Sequence, residues 1–301
     1  NNLRSWVENE ALPGHRIAAT QVLTGGYSNE NVLLTMAGGG RYVLRRYLRR
    51  NSCAVEAALS ARLAGVVPVP EVVAADPAGR SAGEPVLLSV FAPGAPLADV
   101  MAQAPAELGA AAGETLARLG SVTFPAAGFF TGGDLVPGPP GTEPTEGLDV
   151  FVRRCLAEGN AAGHLTETEQ QTLLRYAEKA APELDELRGS RQLVHSDYNP
   201  KNLLAAQHDG RWRITTVLDW EFAFSSTPLV DVGNMLRDPR PPGFANAFLD
   251  GFHAGGGALP TNWRRLSQTL DLFALADFLT RPPDHRYFRK AVTRIRTLQT
   301  Q

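Results

Sequence analysis

Two short segments carry the residue types that chemistry needs. One is His195-Ser196-Asp197-Tyr198-Asn199-Pro200-Lys201-Asn202; the other is Leu218-Asp219-Trp220-Glu221, closing the apolar run Thr216-Val217-Leu218. A carboxylate such as Asp197 can receive the proton of a hydroxyl that is becoming a nucleophile. The amide oxygen of Asn202 and the carboxylate of Asp219 are hard oxygen donors of the kind Mg²⁺ prefers. A base and ligands for Mg²⁺, with a cation on the phosphates and a loop that covers them, are the parts of phosphoryl transfer, whose loose transition state asks for placement and charge stabilisation rather than a covalent intermediate. A lone His-x-Asp is usually a turn or a core hydrogen bond. The weight lies in the offset of Asn202 and in the strand that delivers Asp219.

Elements must position these residues. Ile17 to Leu23 and Asn31 to Met36 flank Gly25-Gly26-Tyr27-Ser28 as strand, turn and strand. Arg41 to Arg45 is a third strand. Cys53 to Ala64 is a helix, with Val55, Leu59 and Leu63 at helical spacing. Val72 to Ala75 and Pro85 to Phe91 supply two more strands. After Ala92-Pro93-Gly94 the pattern turns to helices, at Glu107–Leu119, Leu148–Glu158 and Glu167–Arg188 and across most of the chain beyond Leu229. The Gly- and Pro-rich stretch from Phe124 to Gly147 reads as an extended surface loop. Asn202–Ala206 and Trp212–Leu218 form a strand pair beside the chemistry.

Composition excludes other classes. With 301 residues, 44% hydrophobic and 20% charged, the chain can build more than one core and is not disordered. A net charge of −2 offers no basic excess for a nucleic-acid backbone. No run of about 18 apolar residues would span a membrane, and the N-terminus lacks a signal-peptide pattern. Cys53 and Cys155, far apart, make neither a disulfide framework nor a closed zinc site. A reducing, cytoplasmic setting is the expectation, with no nucleic-acid or membrane partner.

The spacing His-x-Asp-x4-Asn, followed by a strand-end Asp, matches the protein-kinase template. More closely, Leu193-Val194-His195-Ser196-Asp197 and Leu218-Asp219-Trp220-Glu221 resemble the aminoglycoside phosphotransferase and choline kinase-like family of the protein kinase-like superfamily. In that family the segments read close to L-V-H-G-D-x-x-x-x-N and I-D-W-E or I-D-F-E. The resemblance covers nearly the whole chain and implies an α+β, bilobal protein kinase-like fold. A small, mainly antiparallel β N-lobe would span 1–94 and a larger helical C-lobe 95–301. It implies Asp197 as catalytic base, Asn202 and Asp219 as Mg²⁺ ligands, His195 as a brace of the loop, and ATP or GTP as co-substrate. Asp231 sits where the family has an aspartate that holds the active-site backbone. Ser196 stands where glycine is commoner. Glu221 is read either as an indirect aid to the metal or as a surface or salt-bridge residue.

Further nucleotide contacts are expected in the front lobe. Gly25, Gly26, Tyr27 and Ser28 would let backbone N–H groups approach phosphate oxygens. Protein kinases carry lysine on the third strand; here Arg45 stands there, with Glu56 on the next helix as partner. Arginine keeps the charge but offers a planar fork. An unrelated ion pair is the competing reading. Alternation sends the adjacent Arg46 to the opposite face. Val90 and Phe91, in a hinge-like strand, would offer backbone groups or an apolar wall to an adenine, or are simply a buried strand. Lys201 either approaches the transferring phosphate or is a solvated loop charge.

The expected activity is a phosphotransferase moving the γ-phosphoryl of ATP or GTP to a small-molecule hydroxyl. The alternative is a catalytically silent, kinase-like nucleotide-binding or regulatory protein. After Asp219 the chain runs Trp220-Glu221-Phe222-Ala223-Phe224, with no D-F-G and A-P-E pair to frame the activation loop of a protein kinase. Asp250, His253, Asp271 and Asp277 of the helical tail could draw a cationic acceptor, although exposed helical acids are more often solvated surface. The sequence does not choose among aminoglycosides, macrolides, choline, amino acids and sugars.

Overall fold

The computed structural model describes residues 2–23, 29–138 and 144–299. Helix α1 (Asn2–Trp6) and a π-helical turn (Val7–Ala11) lead into β1 (Ile17–Leu23), β2 (Asn29–Met36), β3 (Arg41–Tyr47), β4 (Val72–Asp76) and β5 (Val86–Val90). These form one antiparallel sheet in the order β1-β2-β3-β5-β4, with helix α2 (Cys53–Leu63) between β3 and β4 in sequence. One face buries Leu34, Leu44, Val86 and Leu88 against Trp6 and Val7; on the other, Tyr47 and Leu87 meet Cys53 of α2. Being covered on both faces, β5 is a continuous apolar run rather than an alternating one. Leu59 and Leu63 of α2 join the core beneath the helices that follow. The helix therefore lies between the sheet and the rest of the chain.

Beyond residue 94 come β6 (Ala95–Pro96), α3 (Leu97–Val100), α4 (Pro105–Gly120), β7 (Gly128–Phe129), α5 (Leu148–Glu158) and α6 (Glu167–Ala180). Then follow β8 (Gln192–Val194), β9 (Leu203–His208), β10 (Arg211–Val217) and β11 (Phe224–Ser226), and the helices α7 (Leu229–Leu236), α8 (Phe244–Ala254), α9 (Trp263–Phe278) and α10 (Arg286–Gln299). Two three-stranded sheets, β10-β9-β6 and β7-β11-β8, deliver the chemistry. The His195–Asn202 segment leaves β8 and enters β9, and the Asp219–Glu221 segment leaves β10 and enters β11. Because β8 pairs with β11 and β9 with β10, the two segments lie side by side, tied by Leu218 N–H to Asn202 O at 2.8 Å.

Two expectations need correction. The stretch from Phe124 to Gly147 is not merely a surface loop: Phe124, Phe130 and Leu135 are buried, and β7 pairs with β11. The helix expected over Glu167–Arg188 ends at Ala180 and continues as a 3₁₀ helix, Ala181–Leu187, with Pro182 in its first turn. Proline at that point removes a donor from the α-helical ladder. α6 starts at Glu167 as expected, and its N-terminus is closed by a capping box between Thr166 and Glu169. Among the described residues no helix is long and apolar enough to cross a membrane.

Helices α4 and α8 form the tightest pair. A Cβ on Gly113 would lie 2.0 Å from Phe248 O, and one on Gly251 would lie 2.2 Å from Ala110 O, so only glycine permits this approach. Phe244, Phe248 and Phe252 repeat every four residues along α8 and are fully or almost fully buried. Gly113→Ala must push the helices apart. It is expected to cost about 2–3 kcal/mol, measured as a lower urea midpoint at unchanged slope.

Candidate active site

The chain leaves β8 at Val194 and turns under the control of Asp231, in the first turn of α7. Its two carboxylate oxygens accept the N–H groups of His195 (2.7 Å) and Ser196 (2.8 Å). Asp231 is fully buried, and burial pushes its pKa up, to about 7, against the pull of these donors. The His195 ring is also fully buried. Its Nε2–H donates to Leu218 O at 2.8 Å while Nδ1 accepts from Asp197 N–H at 3.2 Å, which sets the tautomer. Burial lowers its pKa to about 4, so the ring is neutral and braces both segments rather than moving protons. It rests on Trp220, with ring centroids 4.6 Å apart.

Ser196 has φ +71°, a left-handed backbone that explains why glycine is commoner in related segments. A side chain there costs about 1–2 kcal/mol. The strain is held by the Asp231 bond and by Asn234 Nδ2, which donates to Ser196 O at 2.6 Å. Tyr198, buried, anchors the loop through its hydroxyl to Ala112 O of α4 at 2.8 Å.

Asp197 is gripped at both oxygens. Asn199 Nδ2 donates to Oδ1 at 2.7 Å and Asn202 Nδ2 to Oδ2 at 2.8 Å. Burial first, then the charge of Asp219, pushes its pKa up to about 6, while the two amides and Arg237 pull the other way. With its NH₂ committed to Asp197, the Asn202 amide keeps its oxygen free of hydrogen bonds among the described residues. Asp219, at φ +70°, presents one carboxylate oxygen to Arg45 and keeps the other. No three described His, Cys, Asp or Glu side chains form a metal cage. Mg²⁺ does not need one, because it binds through one or two protein oxygens, with water and phosphate completing its shell. Glu56, Asp197 and Glu221 each interact electrostatically with Asp219, an acidic excess that fits a divalent cation.

Arg45 connects this segment to the sheet. Its side chain is 11% exposed, with Nε 3.3 Å from Glu56 Oε2, Nη2 2.6 Å from Asp219 Oδ1 and Nη2 3.8 Å from Glu221 Oε1. The expected Arg45–Glu56 pair is present and reaches Asp219 as well. Burial would lower the Arg45 pKa, but the Glu56 and Asp219 carboxylates more than offset it. Burial raises Glu56 to about 7. Arg46 points the other way, to Glu30 and Glu84, as alternation requires. Glu221 is buried and accepts from Asn29 Nδ2 at 3.0 Å, so the surface reading of Glu221 fails.

Other expectations change. The N–H groups of Val90 and Phe91 are committed to Glu71 O (2.8 Å) and Arg41 O (3.0 Å), and the Arg41 guanidinium sits 3.9 Å over the Phe91 ring. Neither residue can donate to an adenine edge, which leaves carbonyls and side-chain walls. Lys201 is exposed and makes no ion pair among the described residues. Gly25, Gly26, Tyr27 and Ser28 lie outside the described residues. In the helical tail Asp271 is neutralised by Arg237 and Asp277 by Arg281, so these acids do not draw a cation. Sequence reading passed over Asn29, Asn199, Asn234 and Arg237. Only Asn199, two residues from Asp197, was legible locally, as an Asx turn accepting Lys201 N–H.

The family described as "Phosphotransferase enzyme family" matches residues 19–268. A search of curated protein sequences gives no match. Among solved structures, the macrolide 2′-phosphotransferase of Brachybacterium faecium is 19% identical, with 94% of each chain covered and a TM-score of 0.63. A thermostable mutant of aminoglycoside phosphotransferase APH(4)-Ia, in ternary complex with AMP-PNP and hygromycin B, is 17% identical. That match covers 100% of this chain and 98% of the other, with a TM-score of 0.72. At such identities the structures establish the fold, that of the kinase-like phosphotransferases. The family match spans most of the chain, which therefore belongs to the phosphotransferase enzyme family, whose members are small-molecule kinases.

Proposed function

We propose that the protein moves the γ-phosphoryl group of ATP or GTP to a hydroxyl of a small acceptor, with Asp197 as the base. The observation that carries this is the grip on Asp197: each of its carboxylate oxygens is fixed by an amide, and the backbone of one of those residues, Asn202, is tied to Leu218, the neighbour of Asp219. The nucleotide lies between the sheet portion, 1–94, and the helical portion, 95–301. The Val90–Phe91 carbonyls and side chains face its base. Structures of APH(4)-Ia with AMP-PNP and with ADP support a nucleotide co-substrate. Asn202 and Asp219 would hold Mg²⁺, which supplies charge neutralisation on the phosphates.

Asp197 accepts the acceptor's proton as the hydroxyl oxygen bonds to the γ-phosphorus, and the bond to the bridging oxygen breaks to release the nucleoside diphosphate. His195 and Asp231 hold the loop still meanwhile. Arg45 orients Asp219, and its ion pair with Glu56 keeps it in place. Exposed Lys201 is free to reach the transferring phosphate. The buried, unpaired Cys53 and Cys155 fit a reducing, cytoplasmic setting.

Asp197→Asn is expected to lower kcat about 10²–10⁴-fold with an unchanged thermal midpoint, read by nucleoside diphosphate release over a panel of hydroxyl compounds. Undiminished turnover rejects the assignment, and nucleotide binding without product from the wild type across the panel favours a silent binding protein. Asp197 must be ionised to accept a proton, and its pKa is raised to about 6. The kcat/KM profile should therefore fall as pH drops below that value, approaching tenfold per unit. A flat profile to pH 5 contradicts the assignment.

A further inference from the structure

A groove between α7, α9 and α10 borders the catalytic loop and carries an unbalanced charge. Arg237, Trp263, Arg264, Gln268, Asp271 and Arg294 are among its lining residues. Arg237 is the link to Asp197. Its guanidinium donates to Asn234 Oδ1, and Asn234 Nδ2 in turn holds Ser196 O, the residue next to Asp197. Arg237 and Asp197 also interact electrostatically. One wall of the groove is therefore tied, through Asn234, to the loop that carries the base.

Its charges do not cancel. Asp271 is paired with Arg237. Arg264 and Arg294 make no ion pair among the described residues. Asp238, the acid that follows Arg237, is taken by Lys290 at 3.6 Å. Arg264 lies over the Trp263 ring, its guanidinium carbon 4.6 Å from the centroid, a stacking that leaves the fork's edge open to a planar anion.

We propose that this groove holds the acceptor through an anionic group, so that the substrate is a hydroxyl compound carrying a carboxylate or a phosphate. The inference rests on the phosphotransferase reading and names its substrate class. A cationic acceptor would meet like charge at Arg264 and Arg294, which a binding site avoids. An anionic one finds two arginine forks, and these offset its repulsion from the nucleotide's phosphates. The anionic group is bound and not transformed; the hydroxyl elsewhere on the molecule faces Asp197.

The test is calorimetry of the full chain with excess AMP-PNP and Mg²⁺, so that the nucleotide site is filled. The probes are malate for the carboxylate source, glycerol 3-phosphate for the phosphate source and choline for a cation. At least one anion should bind, and Arg264→Gln and Arg294→Gln should each weaken it about tenfold. The thermal midpoint should hold, because neither arginine has an ion pair to lose among the described residues. With an anionic acceptor that turns over, the same variants should raise KM about tenfold and change kcat far less. No anion binding, choline binding above both anions, or anion binding unaltered in the variants overturns the inference. The two readings separate cleanly. Arginine-dependent anion binding without product from any hydroxyl compound keeps the groove and rejects the phosphotransferase. Turnover of a cationic acceptor at unchanged KM in both variants does the reverse.

Discussion

The buried guanidinium of Arg45 is the constraint on which the site depends. It reaches Glu56 on α2, Asp219 at the end of β10, and Glu221 just beyond. Sheet, helix and catalytic segment thus share one charge. Desolvating such a group is costly, and removing a single partner typically costs about 3–5 kcal/mol because the charge left behind has no water. The pairing also explains how arginine serves where lysine is commoner. A planar fork can address two carboxylates in different directions, whereas an ammonium acts as a point charge. Asn29 adds a second tie from the sheet, through Glu221.

The catalytic loop is held by groups that do not react. His195 is neutral and fully buried, and each ring nitrogen is committed to one of the two segments. Asp231 spends its oxygens on two backbone N–H groups. These bonds sustain two non-glycine residues, Ser196 and Asp219, in left-handed conformations. Such strain persists only where the surroundings over-determine it, and here it turns Asp197 and Asp219 toward the same space. The rigidity continues downward. Tyr198 bonds to Ala112 of α4, and the neighbouring Gly113 is pressed against α8, so the loop stands on the densest helix pair in the molecule.

The acceptor side is built differently. It is lined by long side chains from three helices, and its character comes from which charges cancel. Arg237 lies at the boundary, facing Asp271 on one side and, through Asn234, the catalytic loop on the other. Reaction type and acceptor choice are thus held by separate structures that meet at one arginine.

Most of the architecture was legible in the sequence, because apolar periodicity and turn residues act over a few neighbours. The five front strands, α2, α5 and the start of α6 follow from that. Proline at 182 ended α6 early, and the aromatic residues of the Gly-rich stretch found a core the local pattern did not announce. Asp197 and Asn202 were readable as neighbours because they lie five positions apart, whereas Asp219, at a strand end, reaches them through the β9–β10 and β8–β11 pairings. The donors of Val90 and Phe91 were not, since only the sheet and the adjoining chain decide which N–H groups are already used. Asn29, Asn234 and Arg237 carry no local signal, and Asp271 suggested the opposite charge until its partner was seen. By itself the sequence determined the reaction class, because the spacing within His195–Asn202 and the strand-end Asp219 that follows are features of local order along the chain. The tertiary structure alone decided the charge of the acceptor groove, because Coulomb interactions depend on distance in space and not on order along the chain.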